Sequence, residues 1–107
     1  MVKKRKKRSD RNHILYQLTL LETGETYIGL SAVLGQAIKR TLEVRFRRHL
    51  SRARTEGKPW TLHKRLRKYP SPEAWEKLVL KTVRGRKNAH QAERELIRIL
   101  VPALNTF

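Results

Sequence analysis

Residues 14–29 read ILYQLTLLETGETYIG, and the fold turns on how this stretch is read. Ile14, Tyr16, Leu18 and Leu20 alternate with Leu15, Gln17, Thr19 and Leu21, the period-two pattern of a strand. A strand is therefore predicted over His13–Leu21. Glu22-Thr23-Gly24-Glu25 supplies turn residues, with Gly24 able to take the positive φ of a tight hairpin. Thr26–Leu30 returns as a second strand. With the turn centred between Thr23 and Gly24, Leu20 is expected opposite Tyr27 and Leu18 opposite Gly29. Tyr16 and Tyr27, eleven residues apart, then project from one face of the sheet. Gly29 beside them is expected to give a ligand close access to the backbone.

Outward from the hairpin, Ser31–Lys39 reads as irregular or weakly helical. A helix is predicted over Thr41–Arg54, where Leu42, Phe46, Leu50 and Ala53 form an apolar stripe. Arg45 and His49, four apart, stack on a neighbouring flank of that helix. Residues 56–60, EGKPW, break it, and 60–69 suggest a short second helix with Leu62 and Leu66 inward. Pro70-Ser71-Pro72 ends that helix. Glu76–Val83 reads as a third strand and Arg84-Gly85-Arg86-Lys87 as a basic turn. Asn88 is the expected cap of a last helix over Ala89–Val101, with Gln91 as its capping-box partner. The order β-β-α-α-β-α predicts an α+β fold, a small three-stranded antiparallel sheet flanked by helices. Residues 1–11 read as a disordered basic tail and 12–107 as one domain.

The last helix carries one physical anomaly. At about 100° per residue, Glu93 falls inside the apolar face formed by Ala89, Ala92, Leu96, Ile97 and Leu100, whereas Glu95 lies on the polar side. A carboxylate in an apolar stripe is costly unless something pairs with it. Either a buried Arg or Lys neutralises Glu93, or a bound cation does.

Charge narrows the partner. The 107 residues carry a net charge of +17. Residues 1–9 hold six cations and no acid, which leaves +11 on the rest, so the folded part is basic in its own right. Such an excess implies a polyanionic partner, nucleic acid being the commonest. With no cysteine there is neither a disulfide framework nor a thiolate metal site. No apolar run approaches the ~20 residues of a membrane span. No signal-peptide core follows the basic start, and a cytoplasmic setting is expected. Lys39, Arg40, Arg48, Arg52, Lys64, Arg65 and Lys68, with Arg67, are the cations expected to line a nucleic-acid track through non-specific phosphate contacts.

Several of these residues, in this order, resemble the GIY-YIG nuclease family. Tyr27-Ile28-Gly29 is the second half of that motif, and Ile14-Leu15-Tyr16 stands where its first half would be, with the tyrosine kept and the glycine lost. Arg45 and His49 match the family's arginine followed four residues later by histidine or tyrosine. Glu93 and Asn105 match the glutamate of the last helix and the asparagine after it. The segment between Gly29 and Arg45 is longer than the family usually has. That makes Arg40 a rival for the arginine, although only Arg45 keeps the step to His49. The resemblance spans about residues 12–107.

The resemblance implies a metal-dependent endonuclease that hydrolyses phosphodiester bonds in DNA, by nicking or double-strand cleavage, with RNA left open as a substrate. It implies one Mg²⁺ or Mn²⁺ ion held by Glu93, since Mg²⁺ keeps several waters and needs few protein ligands. Arg45 would clamp phosphate through its planar fork. Tyr16 would act as or support the general base, with Tyr27 and His49 positioning water and phosphate and Asn105 holding the site's geometry. A basic role for a phenol, with its ordinary pKa of about 10, needs depression by nearby cations or metal. The chain ends two residues after Asn105, so no appended DNA-targeting domain is expected. A monomer or DNA-induced dimer would suit that reading, as would a phage or mobile-element origin in a bacterial cytoplasm. Two other classes compete: a catalytically inactive nucleic-acid-binding module of the same fold, suggested by the altered first half-motif, and an unrelated basic RNA-binding protein.

Overall fold

The computed structural model describes residues 11–33 and 37–105. Strands β1 (Asn12–Leu20), β2 (Thr26–Ala32) and β3 (Trp75–Arg84) form one antiparallel sheet in the order β2-β1-β3. Helix α1 (Ile38–Glu56) and the short α2 (Thr61–Lys68) lie between β2 and β3 in the chain. One 3₁₀ turn at Pro72–Ala74 leads into β3, and α3 (Arg86–Leu100) follows it. The fold is the predicted α+β one, with the 3₁₀ turn added.

Element ends differ from expectation in ways the backbone explains. Residues 1–10 of the expected tail and 34–36 of the expected irregular segment lie outside the described residues. Arg11 is tied in, its carbonyl accepting bonds from the Gly85 amide at 3.0 Å and the His13 ring at 2.8 Å. Ser31 and Ala32 extend β2, and α1 begins at Ile38 rather than Thr41. It ends where Gly57 turns left-handed at φ 60°. The basic turn before α3 shrinks to Gly85, whose φ of 91° takes the chain directly from strand to helix. Asn88 is therefore inside the first turn of α3, not its cap, and Gln91 bonds Glu95 instead of closing a capping box.

The hairpin register also needs correction. Leu18 faces Tyr27 and Tyr16 faces Gly29, two residues from the expected pairing. The loop between the strands is five residues long, Leu21–Glu25, and the Leu20 amide donates across it to the Glu25 carbonyl at 2.9 Å. A shift of two preserves faces, so both tyrosines still project to one side. Gly29 has a different purpose from the one expected. A Cβ there would lie 2.4 Å from both Cζ and the hydroxyl oxygen of Tyr16. The glycine makes room for a buried ring rather than exposing backbone to a ligand. Gly29→Ala is expected to cost about 1–3 kcal/mol by overpacking, read as a lower urea midpoint at unchanged slope.

Ile14, Tyr16, Leu18 and Leu20 of β1 pack with Leu42, Phe46 and Ala53 of α1, Leu62 and Leu66 of α2, Trp75 and Leu104 in one cluster. Leu50, expected in the stripe, is only partly buried against it. Leu15, Ile28 and Ala89 are buried outside that cluster, and α3 contacts all three strands. Among the described residues, no helix is long and apolar enough to cross a membrane.

Candidate functional site

β1 and β2 deliver Tyr16 and Tyr27 to the face that α1 covers, and α1 brings Arg45 and His49, one turn apart, over them. The Tyr16 hydroxyl lies 2.7 Å from Nε2 of His49. Arg45 donates from Nε to the same hydroxyl oxygen at 3.3 Å. The Tyr27 ring meets His49 edge-on, with centroids 5.4 Å apart, and lies 6.3 Å from the Tyr16 ring. Arg40, the rival arginine, is exposed and about 140° round the helix from Arg45. Arg45 is the arginine that reaches the tyrosines.

Burial dominates the electrostatics of this cluster. Tyr16 is fully buried, and burial, reinforced by the neighbouring Tyr27, pushes its phenol well above the ordinary value, outweighing Arg45. Tyr27 is raised too, again chiefly by burial. The nearby cations thus do not supply the depression that a basic role would need, because desolvation exceeds the attraction of one guanidinium. His49 is pushed down to about 3 by burial and then by Arg45. Tyr16, Tyr27 and His49 are three neutral groups held beside one fixed cation, with Tyr16 and His49 joined by a short hydrogen bond.

Asn105 is a strap. Its Nδ2 donates to the Ile28 carbonyl at 2.9 Å, and its Oδ1 accepts from the Ile28 amide at 2.8 Å. The Leu104 amide adds a bond to the Thr26 carbonyl at 2.9 Å. These bonds hold the segment after α3 against β2, on either side of Tyr27.

Glu93 lies on the inward face of α3, as its helical position predicts, with its side chain 23 % exposed. Its nearest ionic neighbour is Nδ1 of His90 at 3.9 Å, and among the described residues no Arg or Lys comes within ion-pair distance. Burial raises its carboxyl, with His90, Arg94 and Arg45 opposing, and its charge in turn helps raise both phenols. Of the two solutions the sequence left open, the buried Arg or Lys is absent there. A half-buried carboxylate without a cationic side chain against it suits a hard divalent cation that keeps most of its waters. Among the described residues no group of three or more His, Cys, Asp or Glu could form an all-protein cage.

Tyr27, Arg45, His49 and Asn105 line a cleft of about 340 Å³, together with Arg52, Trp60, Leu62, His63 and Leu104. Tyr16 lies behind this wall. Lys39, Arg40, Arg48, Lys64 and Lys68 are exposed cations, and Arg52, exposed too, pairs with Glu56 at 3.0 Å. Two others are tied to distant parts of the chain. Arg65 donates from Nε to Glu25 at 2.9 Å, joining α2 to the hairpin loop. Arg67 donates to the Ala53 and Lys58 carbonyls, both at 3.1 Å, and so closes the C-terminal end of α1. Trp60 and His63 escaped the sequence reading because neither has ligand spacing or a motif neighbour. Only the fold of α2 against α1 brings them to the cleft.

Comparison of the chain with family models, with curated proteins and with solved structures returned no match.

Proposed function

We propose that this protein is a metal-dependent endonuclease of the GIY-YIG kind, hydrolysing phosphodiester bonds in DNA. The observation that carries the reading is the convergence of Tyr27, Arg45 and His49 on a cleft that Arg52 also lines, with Tyr16 hydrogen-bonded to His49 and Arg45 behind its wall. Hydrolysis requires an oriented water, charge stabilisation on the phosphoryl oxygens and a route for protons. Arg45 meets the phosphoryl oxygens with donors in a fixed fork. Tyr27 and His49 orient the attacking water. As its oxygen bonds phosphorus and the bond to the 3′-oxygen breaks, the water's proton leaves to solvent past the neutral Tyr16–His49 pair, and solvent protonates the departing oxygen. Glu93 would hold Mg²⁺, which when bound neutralises charge building on the phosphoryl oxygens. Asn105 keeps β2, and with it Tyr27, in register.

One observation favours the second reading, a binding module without catalysis: Tyr16 is fully buried and its phenol is raised, not lowered. Supercoiled plasmid separates the two. Wild type with Mg²⁺ is expected to nick or linearise it and with EDTA to leave it intact, and Glu93→Gln is expected to be at least about a hundredfold slower. Salt-sensitive binding without cleavage under any divalent metal would replace the enzyme with the binding module.

A further inference from the structure

The cleft runs past Arg45 and His49 to an end that the hydrolytic reading leaves unused. There Trp60, just ahead of α2, stands 39 % exposed, its ring centroid 5.0 Å from that of His63. Both side chains line the same cleft as Tyr27 and His49. The indole is thus a large apolar face on the wall of a cationic cleft, with the Lys58 ammonium 5.6 Å from its centroid. His63 presents the opposite situation. It is 2 % exposed, and its Nδ1 is buried with no hydrogen-bond partner, alone in this among the side-chain nitrogens and oxygens of the described residues. Such an atom carries a desolvation penalty that a bound partner would relieve. Burial lowers the His63 pKa, so the ring is neutral and offers one donor and one acceptor. Arg52 lines the cleft between its two ends, and its pair with Glu56 is an exposed one that competes weakly for the guanidinium.

We propose that this end of the cleft is a subsite for one unpaired base, stacked on the Trp60 indole and hydrogen-bonded by the His63 ring, with the adjoining phosphate held by Arg52. The inference rests on the nucleic-acid reading above and adds a preference to it. Within a duplex both faces of a base are covered by its neighbours, so only a single strand, a flap, a gap or a frayed end can offer a face to the indole.

Fluorescence and anisotropy titrations of the full chain in EDTA test this, with a labelled deoxyoligonucleotide presented single-stranded and as a blunt duplex. Trp75 is buried in the core, so Trp60 supplies the responsive emission. The single strand is expected to quench it. Trp60→Ala, an exposed substitution, should abolish the quench, weaken single-strand binding about tenfold and leave the duplex within about twofold. His63→Phe keeps a ring beside Trp60 and removes both nitrogens. Its thermal midpoint is expected to be no lower than wild type, with several-fold weaker single-strand binding. Equal effects of Trp60→Ala on single strand and duplex, or none on either, would overturn the subsite, and unchanged binding by His63→Phe would remove the imidazole from it. No cleavage is read, so an inactive protein with the expected single-strand preference loses the enzyme and keeps the subsite. A plasmid-nicking protein whose Trp60→Ala variant binds single strands normally keeps the enzyme and loses the subsite.

Discussion

Arg45→Ala is expected to slow plasmid cleavage by about 10²–10³-fold while the protein stays folded, the range seen when one pre-organised donor to a transition-state oxyanion is removed. Two facts of position set this size. Arg45 Nε already bonds the Tyr16 hydroxyl at 3.3 Å, which fixes the fork, and the guanidinium lines the cleft. Arg45→Lys should recover little, because an ammonium supplies a point charge in place of two parallel donors. Arg40→Ala is the control. It removes an equal charge from the far side of α1 and should change the cleavage rate by less than about twofold, with the loss fading as salt rises. Single-turnover rates at saturating protein, with urea midpoints for each variant, separate lost chemistry from lost fold. Equal slowing by Arg40→Ala and Arg45→Ala would mean that both act only through bulk attraction for the polyanion.

Acid should destabilise the protein through His49. Its pKa is pushed from 6.5 down to about 3 by burial, so below pH 6.5 the unfolded chain takes up a proton that the folded chain refuses. Stability from this group is complete above pH 6.5 and is lost progressively as pH falls toward 3, each unit costing about 1.4 kcal/mol. Between pH 7 and pH 5 the loss is on the order of 2 kcal/mol. His63 is shifted in the same direction by its own burial, so the His49 part is isolated by difference. His49→Gln keeps a polar partner for Tyr16 and cannot titrate. Its unfolding free energy, followed by urea titration at several pH values, should fall less steeply toward acid than that of wild type. Parallel curves for the two proteins would show that His49 takes up a proton as readily in the folded state as in the unfolded one, and that its burial does not shift it.

Much of this architecture is legible in one dimension because it rests on short-range periodicity. The alternation from Ile14 to Leu20, the helical stripe of Leu42, Phe46, Leu50 and Ala53, and the place of Glu93 on an apolar face each depend only on the strand and helix repeats. The structure keeps them, with Leu50 only partly buried. Even an error of two in the hairpin register left both tyrosines on the predicted face, since side chains alternate with a period of two. The resemblance brought Tyr16, Tyr27, Arg45, His49, Glu93 and Asn105 into one list, and four of the six line the cleft, with Tyr16 behind its wall and Glu93 not among the lining residues.

Other properties had no local signature. That Gly29 exists to admit the Tyr16 ring follows from cross-strand pairing, not from its neighbours in the chain. The pKa directions of Tyr16 and His49 depend on how completely α1 covers the sheet, so counting nearby cations points the wrong way once desolvation dominates. Arg65 and Arg67 look like any other member of a basic run until Glu25 and the end of α1 arrive beside them from distant sequence. Trp60 and His63 join the cleft only because α2 folds back on α1. By itself, the sequence determined the main strands and helices, their order and the basic character, because those are matters of repeat and composition. The tertiary structure alone decided which residues are buried, which cations are already engaged and how far the cleft extends, because desolvation and pairing are properties of neighbours that only folding supplies.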